Sequence, residues 1–152
     1  LGAAAAAYRR ALRLQPKHED ALNNLGNALR QSGRLAESVE VFERGLGVAP
    51  DNVALLLNGG QVYQDVGRLD KVEEVAKRAF ALSPSTMEAS LLLGSVAYGK
   101  GEMEEAVKHY RRAHAASPTA QQPLLNLANT LGDLYRAHEA RMSNQNARAR
   151  AE

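Results

Sequence analysis

Residues 19–52 read EDALNNLGNALRQSGRLAESVEVFERGLGVAPDN, and the proline near the end of that stretch decides the fold. Pro50 has counterparts at Pro16, Pro84 and Pro118, each 34 residues from the next. Given the first, three more at that step have a chance probability on the order of 10⁻⁴ at background proline usage. The same step brings Gly26, Gly60 and Gly94 into register, and likewise Gly33, Gly67 and Gly101. Self-similarity at a fixed period marks an array of supersecondary units, so the repeat and not the 152-residue chain is the unit to read.

Within the quoted unit, Leu22, Leu25 and Leu29 recur at helical spacing, as do Leu35, Val39, Phe42 and Leu46. That spacing predicts two amphipathic helices of about a dozen residues each, joined at Gly33. The joint is glycine because the chain must turn there through positive φ. Proline stops the second helix and restricts the residue before it. The units are then 19–52, 53–86 and 87–120. Residues 1–18 read as the second helix of a truncated repeat, and 121–152 as a partial repeat with a C-terminal capping helix.

Successive key positions of the first unit hold Leu22, Leu25, Gly26, Leu29, Ser38, Phe42, Gly45 and Pro50. The second holds Leu56, Gly59, Gly60, Tyr63, Val72, Ala76, Ala79 and Pro84, and the third Ser90, Leu93, Gly94, Ala97, Ala106, Tyr110, Ala113 and Pro118. This pattern of large, small and aromatic residues resembles the tetratricopeptide repeat family along essentially the whole chain. The resemblance implies an all-α, right-handed superhelical solenoid of antiparallel helix pairs, with seven or eight helices here. Some positions depart from the pattern. Gly59-Gly60 weakens a helix by about 1 kcal/mol per glycine, Val72 is large where a small residue is usual, and Ser90 replaces an apolar anchor. In the tail, Gly132 falls three residues early and Tyr135 stands where the turn glycine belongs. The pattern therefore predicts a short helix near 121–131 and a polar final helix near 134–148, as a capped array end requires.

The resemblance also implies that the first helix of each pair lines a concave groove. Its inward positions hold Asn23, Asn24 and Asn27, then Leu57, Asn58 and Gln61, then Leu91, Leu92 and Ser95, then Leu125, Asn126 and Asn129, with Tyr98 further along. Asparagine is a poor helix former, so its repetition inside helices calls for a reason. Its side chain both donates and accepts, and a row of such amides can bond the backbone of an extended peptide whatever its sequence. The row is similar to the asparagine ladder of the repeats in O-linked N-acetylglucosamine transferase, and it is broken at Leu92. Leu57, Leu91, Leu92 and Tyr98 form an apolar strip in the middle. The carboxylate clamp of co-chaperone repeats is not matched, since its cationic places hold Asn23, Glu88 and Leu92.

Other chemistries find no support. Gly94 to Lys100 matches the opening of a phosphate-binding loop, but Gly101 follows in place of Ser or Thr and the segment lies within a helix. His18, His109, His114 and His138 are scattered and read as surface residues, so no metal or other cofactor is expected. Glu73-Glu74 and Glu104-Glu105 read as solvated faces paired with nearby lysine and arginine. Arg136, Arg141, Arg148 and Arg150 make the tail basic, yet the net charge of +2 and the lack of interleaved aromatics argue against a nucleic-acid partner. No stretch reaches the ~18 apolar residues of a membrane span. The absence of cysteine fits a reducing compartment without requiring one.

The expected function is a non-enzymatic protein-interaction module that takes an extended peptide or partner segment in its groove, with no small-molecule substrate. Two alternatives stand beside it. The chain reads alternatively as the substrate-recruiting portion of a larger glycosyltransferase, or as a scaffold subunit of a multiprotein assembly. The sequence starts within a repeat, and the face carrying Ala4, Tyr8, Ala11 and Leu12 is apolar, so self-association through that end is a further expectation.

Overall fold

The computed structural model describes residues 2–151, and side-chain surroundings for 2–145. Arg148 and Arg150 of the basic tail lie outside the residues whose side chains are described. Among the described residues the chain forms eight α-helices: α1 (Gly2–Leu14), α2 (Glu19–Gln31), α3 (Leu35–Val48), α4 (Val53–Asp65), α5 (Leu69–Leu82), α6 (Met87–Gly99), α7 (Met103–Ala116) and α8 (Gln121–Ala151). Each helix packs on the next in sequence. In addition α2 touches α4 and α4 touches α6, so the first helices of the pairs form one layer, with the second helices packed against it.

The turns follow from local chemistry. Gly33, Gly67 and Gly101 have φ of 73°, 73° and 79°, and no other described residue has positive φ. Asn52 opens α4 by accepting a bond from the Leu55 amide at 3.1 Å, and His18 does the same for Ala21 at 3.3 Å. His18 is therefore a helix cap. His109 and His114 are half-buried on α7, each with an unpartnered Nδ1, and so are not the free surface groups the sequence suggested. Burial holds the His109 imidazole below its ordinary pKa, assisted by the Arg112 charge.

Helix pairs close through a glycine notch. A methyl group on Gly26 would fall 2.5 Å from Phe42 Cε2, and one on Gly94 would fall 2.5 Å from Tyr110 Cε1. The ring lies against the opposing backbone, and Ser38 Oγ adds a bond to the Gly26 carbonyl at 2.7 Å. The middle pair is built differently. Its aromatic place is Ala76 and its small place is Val72, both fully buried. The volume missing at Ala76 is made up from the next repeat, because Leu92 of α6 enters the Gly60 notch beside Val75. This keeps the core at close packing despite the inverted order of large and small side chains.

The tail differs from the two helices anticipated. One helix, α8, runs without a break from Gln121 to Ala151. Gly132 does not turn, because a lone helical glycine costs only about 1 kcal/mol relative to alanine, and Asp133 beside it is held by Tyr98 and by Arg136. Since α8 does not fold back, Leu124, Leu131, Tyr135 and Met142 stay exposed. At the other end Leu12 is 6% exposed. It packs with Ala5 against α2 and does not belong to the open face expected there, which keeps Ala4 exposed and Tyr8 and Ala11 half-buried.

Candidate functional site

The layer of first helices carries side-chain straps from one repeat to the next. Asn58 Nδ2 donates to Asn23 Oδ1 at 2.8 Å, and Arg30 Nε donates to Asp65 Oδ2 at 2.5 Å. Arg30 also donates to Gln61 Oε1 at 2.8 Å. Tyr98 Oη donates to Asp133 Oδ2 at 2.5 Å. Arg30 to Asp65 and Tyr98 to Asp133 share one offset, 35 residues. The equivalent pair in between is Gln64 and Gly99, and glycine has no side chain to answer Gln64. The strap is absent there, and the face opens.

Two adjoining hollows occupy that opening between α4, α6 and α8. One measures ≈ 330 Å³. Its walls include Gln64, Tyr98, Tyr110, Asn129 and Thr130. The other, ≈ 170 Å³, is lined by Gln61, Glu88, Leu91 and Leu92 among others. Gln64, Ser95, Gln122 and Asn126 belong to both. The withdrawal of Leu92 into the Gly60 notch sets the floor of the smaller hollow.

Electrostatics are modest. Asp133 is held below the ordinary carboxylate range by the bonds from Tyr98 and Arg136, and the Tyr98 phenol is raised by the same Asp133 contact. Burial raises the Tyr110 phenol, whose hydroxyl lies 3.4 Å from Ser95 Oγ. These groups hold one another in place, and the site as a whole offers amide and hydroxyl groups to a ligand. Among the described residues there is no group of three metal-ligating side chains. The segment Gly94 to Lys100 is helix α6 and its cap, so it cannot wrap a phosphate.

The residues singled out from the sequence divide into two sets. Gln61, Leu91, Leu92, Ser95, Tyr98, Asn126 and Asn129 line the hollows. Asn23, Asn24, Asn27 and Asn58 lie on the N-terminal part of the same layer, outside both. Asn23 and Asn58 bond each other, which uses one donor and one acceptor of that row. Leu92 is 3% exposed, so it contributes a floor and not a projecting contact. Gln64, Gln122, Glu88 and Thr130 were not singled out as contact residues. The repeat frame contained the signal for Gln64, whose inward position is the one Tyr98 occupies in the next unit.

Stacked helix pairs, turn glycines at one period and an amide-bearing layer define a helical repeat solenoid. A family model described as tetratricopeptide repeat matches residues 1–53 and 57–120, and the chain belongs to that family. With it comes the right-handed superhelical solenoid of antiparallel helix pairs. No curated protein sequence matches the chain. Among solved structures, MamA is similar at 18% identity over 85% of this chain and 75% of that chain, with a TM-score of 0.76. The first TPR domain of human RPAP3 is similar at 22% identity over 82% and 98%, with a TM-score of 0.74. The first TPR of Spaghetti (RPAP3) bound to the HSP90 peptide SRMEEVD is similar at 23% identity over 77% and 93%, with a TM-score of 0.72. At these identities the likeness is one of fold. No helix among the described residues is long and apolar enough to cross a membrane.

Proposed function

We propose that this chain is a non-enzymatic interaction module that binds an extended peptide segment along its concave face, seated at the hollows between α4, α6 and α8. The observation that carries this reading is the gap in the strap at Gln64 and Gly99, which leaves unengaged amide groups around a cavity open to solvent. An extended backbone presents alternating donors and acceptors, and amide side chains answer both. The solved structure of a similar fold with a peptide bound supports the class of ligand. An acid-rich peptide of that kind is disfavoured here, because Glu88 would repel it.

The test is affinity capture from the native lysate with wild type and with a Gln64→Ala, Asn126→Ala, Asn129→Ala variant of equal helicity. Partners lost with the variant support the site. Partners retained equally move the interaction elsewhere, and a second surface is ready to take it. A hollow of ≈ 400 Å³ between α1, α2 and α3 has Leu12, Leu25, Leu29 and Val41 in its walls, with Arg13 and Arg44 at its edge. Partners retained by the first variant but lost on Arg13→Ala would favour a scaffold held through the layer of second helices.

A further inference from the structure

The acidic residues on the concave layer are not equally engaged. Asp65 is paired with Arg30 and Asp133 with Arg136. Glu88, in the first turn of α6, is half-buried at the edge of the smaller hollow and has no ion pair or side-chain hydrogen bond among the described residues. A carboxylate at the edge of a hollow and without a counter-ion is open to one, and a cation arriving beside it gains a charge-assisted bond.

We propose that the smaller hollow receives one lysine or arginine side chain of the bound segment, with Glu88 as its counter-ion. This rests on the peptide-binding reading above. The walls suit such a side chain from stem to tip. Leu91 and Leu92 offer apolar surface to the methylene stem. Gln122 donates through its amide nitrogen to Asn126 at 2.8 Å, which leaves its carbonyl oxygen free to accept. Gln64 makes no side-chain bond among the described residues and offers a second acceptor. An ammonium or guanidinium group has donors only, so two amide oxygens and a carboxylate form a complementary set. The volume, ≈ 170 Å³, is on the scale of a single long side chain. The charge of Glu88 thus selects the ligand side chain, while the remaining amides of the larger hollow, such as Asn129, bind its backbone.

The experiment is selection of a phage-displayed random nonapeptide library on the wild-type chain. Enriched peptides are then synthesised with each Lys or Arg kept or replaced by norleucine, and titrated against wild type and Glu88→Gln. Binding is located from the side-chain amide NMR signals of Gln64, Gln122 and Asn126. The expected result is a peptide whose norleucine form binds wild type roughly tenfold more weakly, as for loss of a charge-assisted bond, with little difference between the two forms on Glu88→Gln. Glu88→Lys should shift the selection toward acidic peptides. Peptides that perturb the three amide signals yet bind equally well with norleucine would overturn the role of Glu88 and leave the groove reading intact. Failure of any selected peptide to move those signals, or failure to select any peptide, would overturn both.

Discussion

Leu92 on α6 occupies the space that a side chain at Gly60 on α4 would need: a methyl group there would fall 2.7 Å from Leu92 Cδ1. In the flanking repeats the equivalent notch is filled from within the same pair, by Phe42 over Gly26 and Tyr110 over Gly94. In the middle repeat it is filled across the boundary between repeats. The interface between α4 and α6 therefore carries a packing interaction that the others lack, and the break in the asparagine row at Leu92 has a structural cause.

The two neighbouring glycines of α4 should respond in opposite directions. A methyl at Gly59 would meet Phe42 Cβ at 3.5 Å, an ordinary contact, whereas one at Gly60 would also lie 3.1 Å from Val75 Cγ2. Gly59→Ala should raise stability by about 0.5–1 kcal/mol through helix propensity. Gly60→Ala should lower it by about 1 kcal/mol net, since overpacking costs about 1–3 kcal/mol and outweighs the same propensity gain. Urea denaturation of both variants checks this, and equal stabilisation by the two would show that Leu92 yields freely.

Leu92→Asn restores the amide row in sequence and should harm the fold. It removes apolar contacts at the notch and buries an amide, at a combined cost of about 2–4 kcal/mol. A variant as stable as wild type, with its melting temperature unchanged, would mean that the leucine is there for a ligand and not for packing.

Ser90 is fully buried, and its Oγ has no hydrogen-bond partner. Ser90→Ala removes that unmet group and improves helix propensity, so it should stabilise by about 0.5–1 kcal/mol. A loss of stability on thermal or chemical denaturation would point to a bridging water at this position.

Glu73 joins α5 to the cap of α6. It accepts from Lys100 Nζ at 2.6 Å and from Lys77 Nζ at 2.7 Å, and these bonds lower its pKa to about 2. A depressed carboxylate stabilises the fold above the ordinary carboxylate range, and that contribution is lost as pH falls through the folded value. Glu73→Gln should therefore cost up to about 1 kcal/mol at neutral pH, allowing for solvent screening of a surface pair. The difference from wild type should fade between the ordinary carboxylate pKa and about 2. Denaturation curves across that range, repeated in high salt, test the assignment; a gap that persists at pH 2 would contradict it.

The period of 34 determined much of this protein without coordinates. Helix pairs, turn glycines, the proline stops and the burial of Leu22, Leu25, Leu29, Phe42 and Tyr110 all follow from local spacing and from the need of each helix to bury one face. The inward face came from the family resemblance, and seven of the residues named on it line the hollows: Gln61, Leu91, Leu92, Ser95, Tyr98, Asn126 and Asn129. Three things were decided only by tertiary structure. Whether Gly132 ends a helix depended on Tyr98, 34 residues earlier, which anchors Asp133 beside it. Whether Leu92 stands in the groove or beneath it depended on the space at Gly60, which Ala76 leaves unfilled. Where the amide face opens depended on Gln64 lacking a partner at Gly99. Periodicity says which face of a helix a residue occupies, because that is a property of one helix. How a side chain is used on that face is set by the shape and bonding of its neighbours on other helices, and those are fixed by packing.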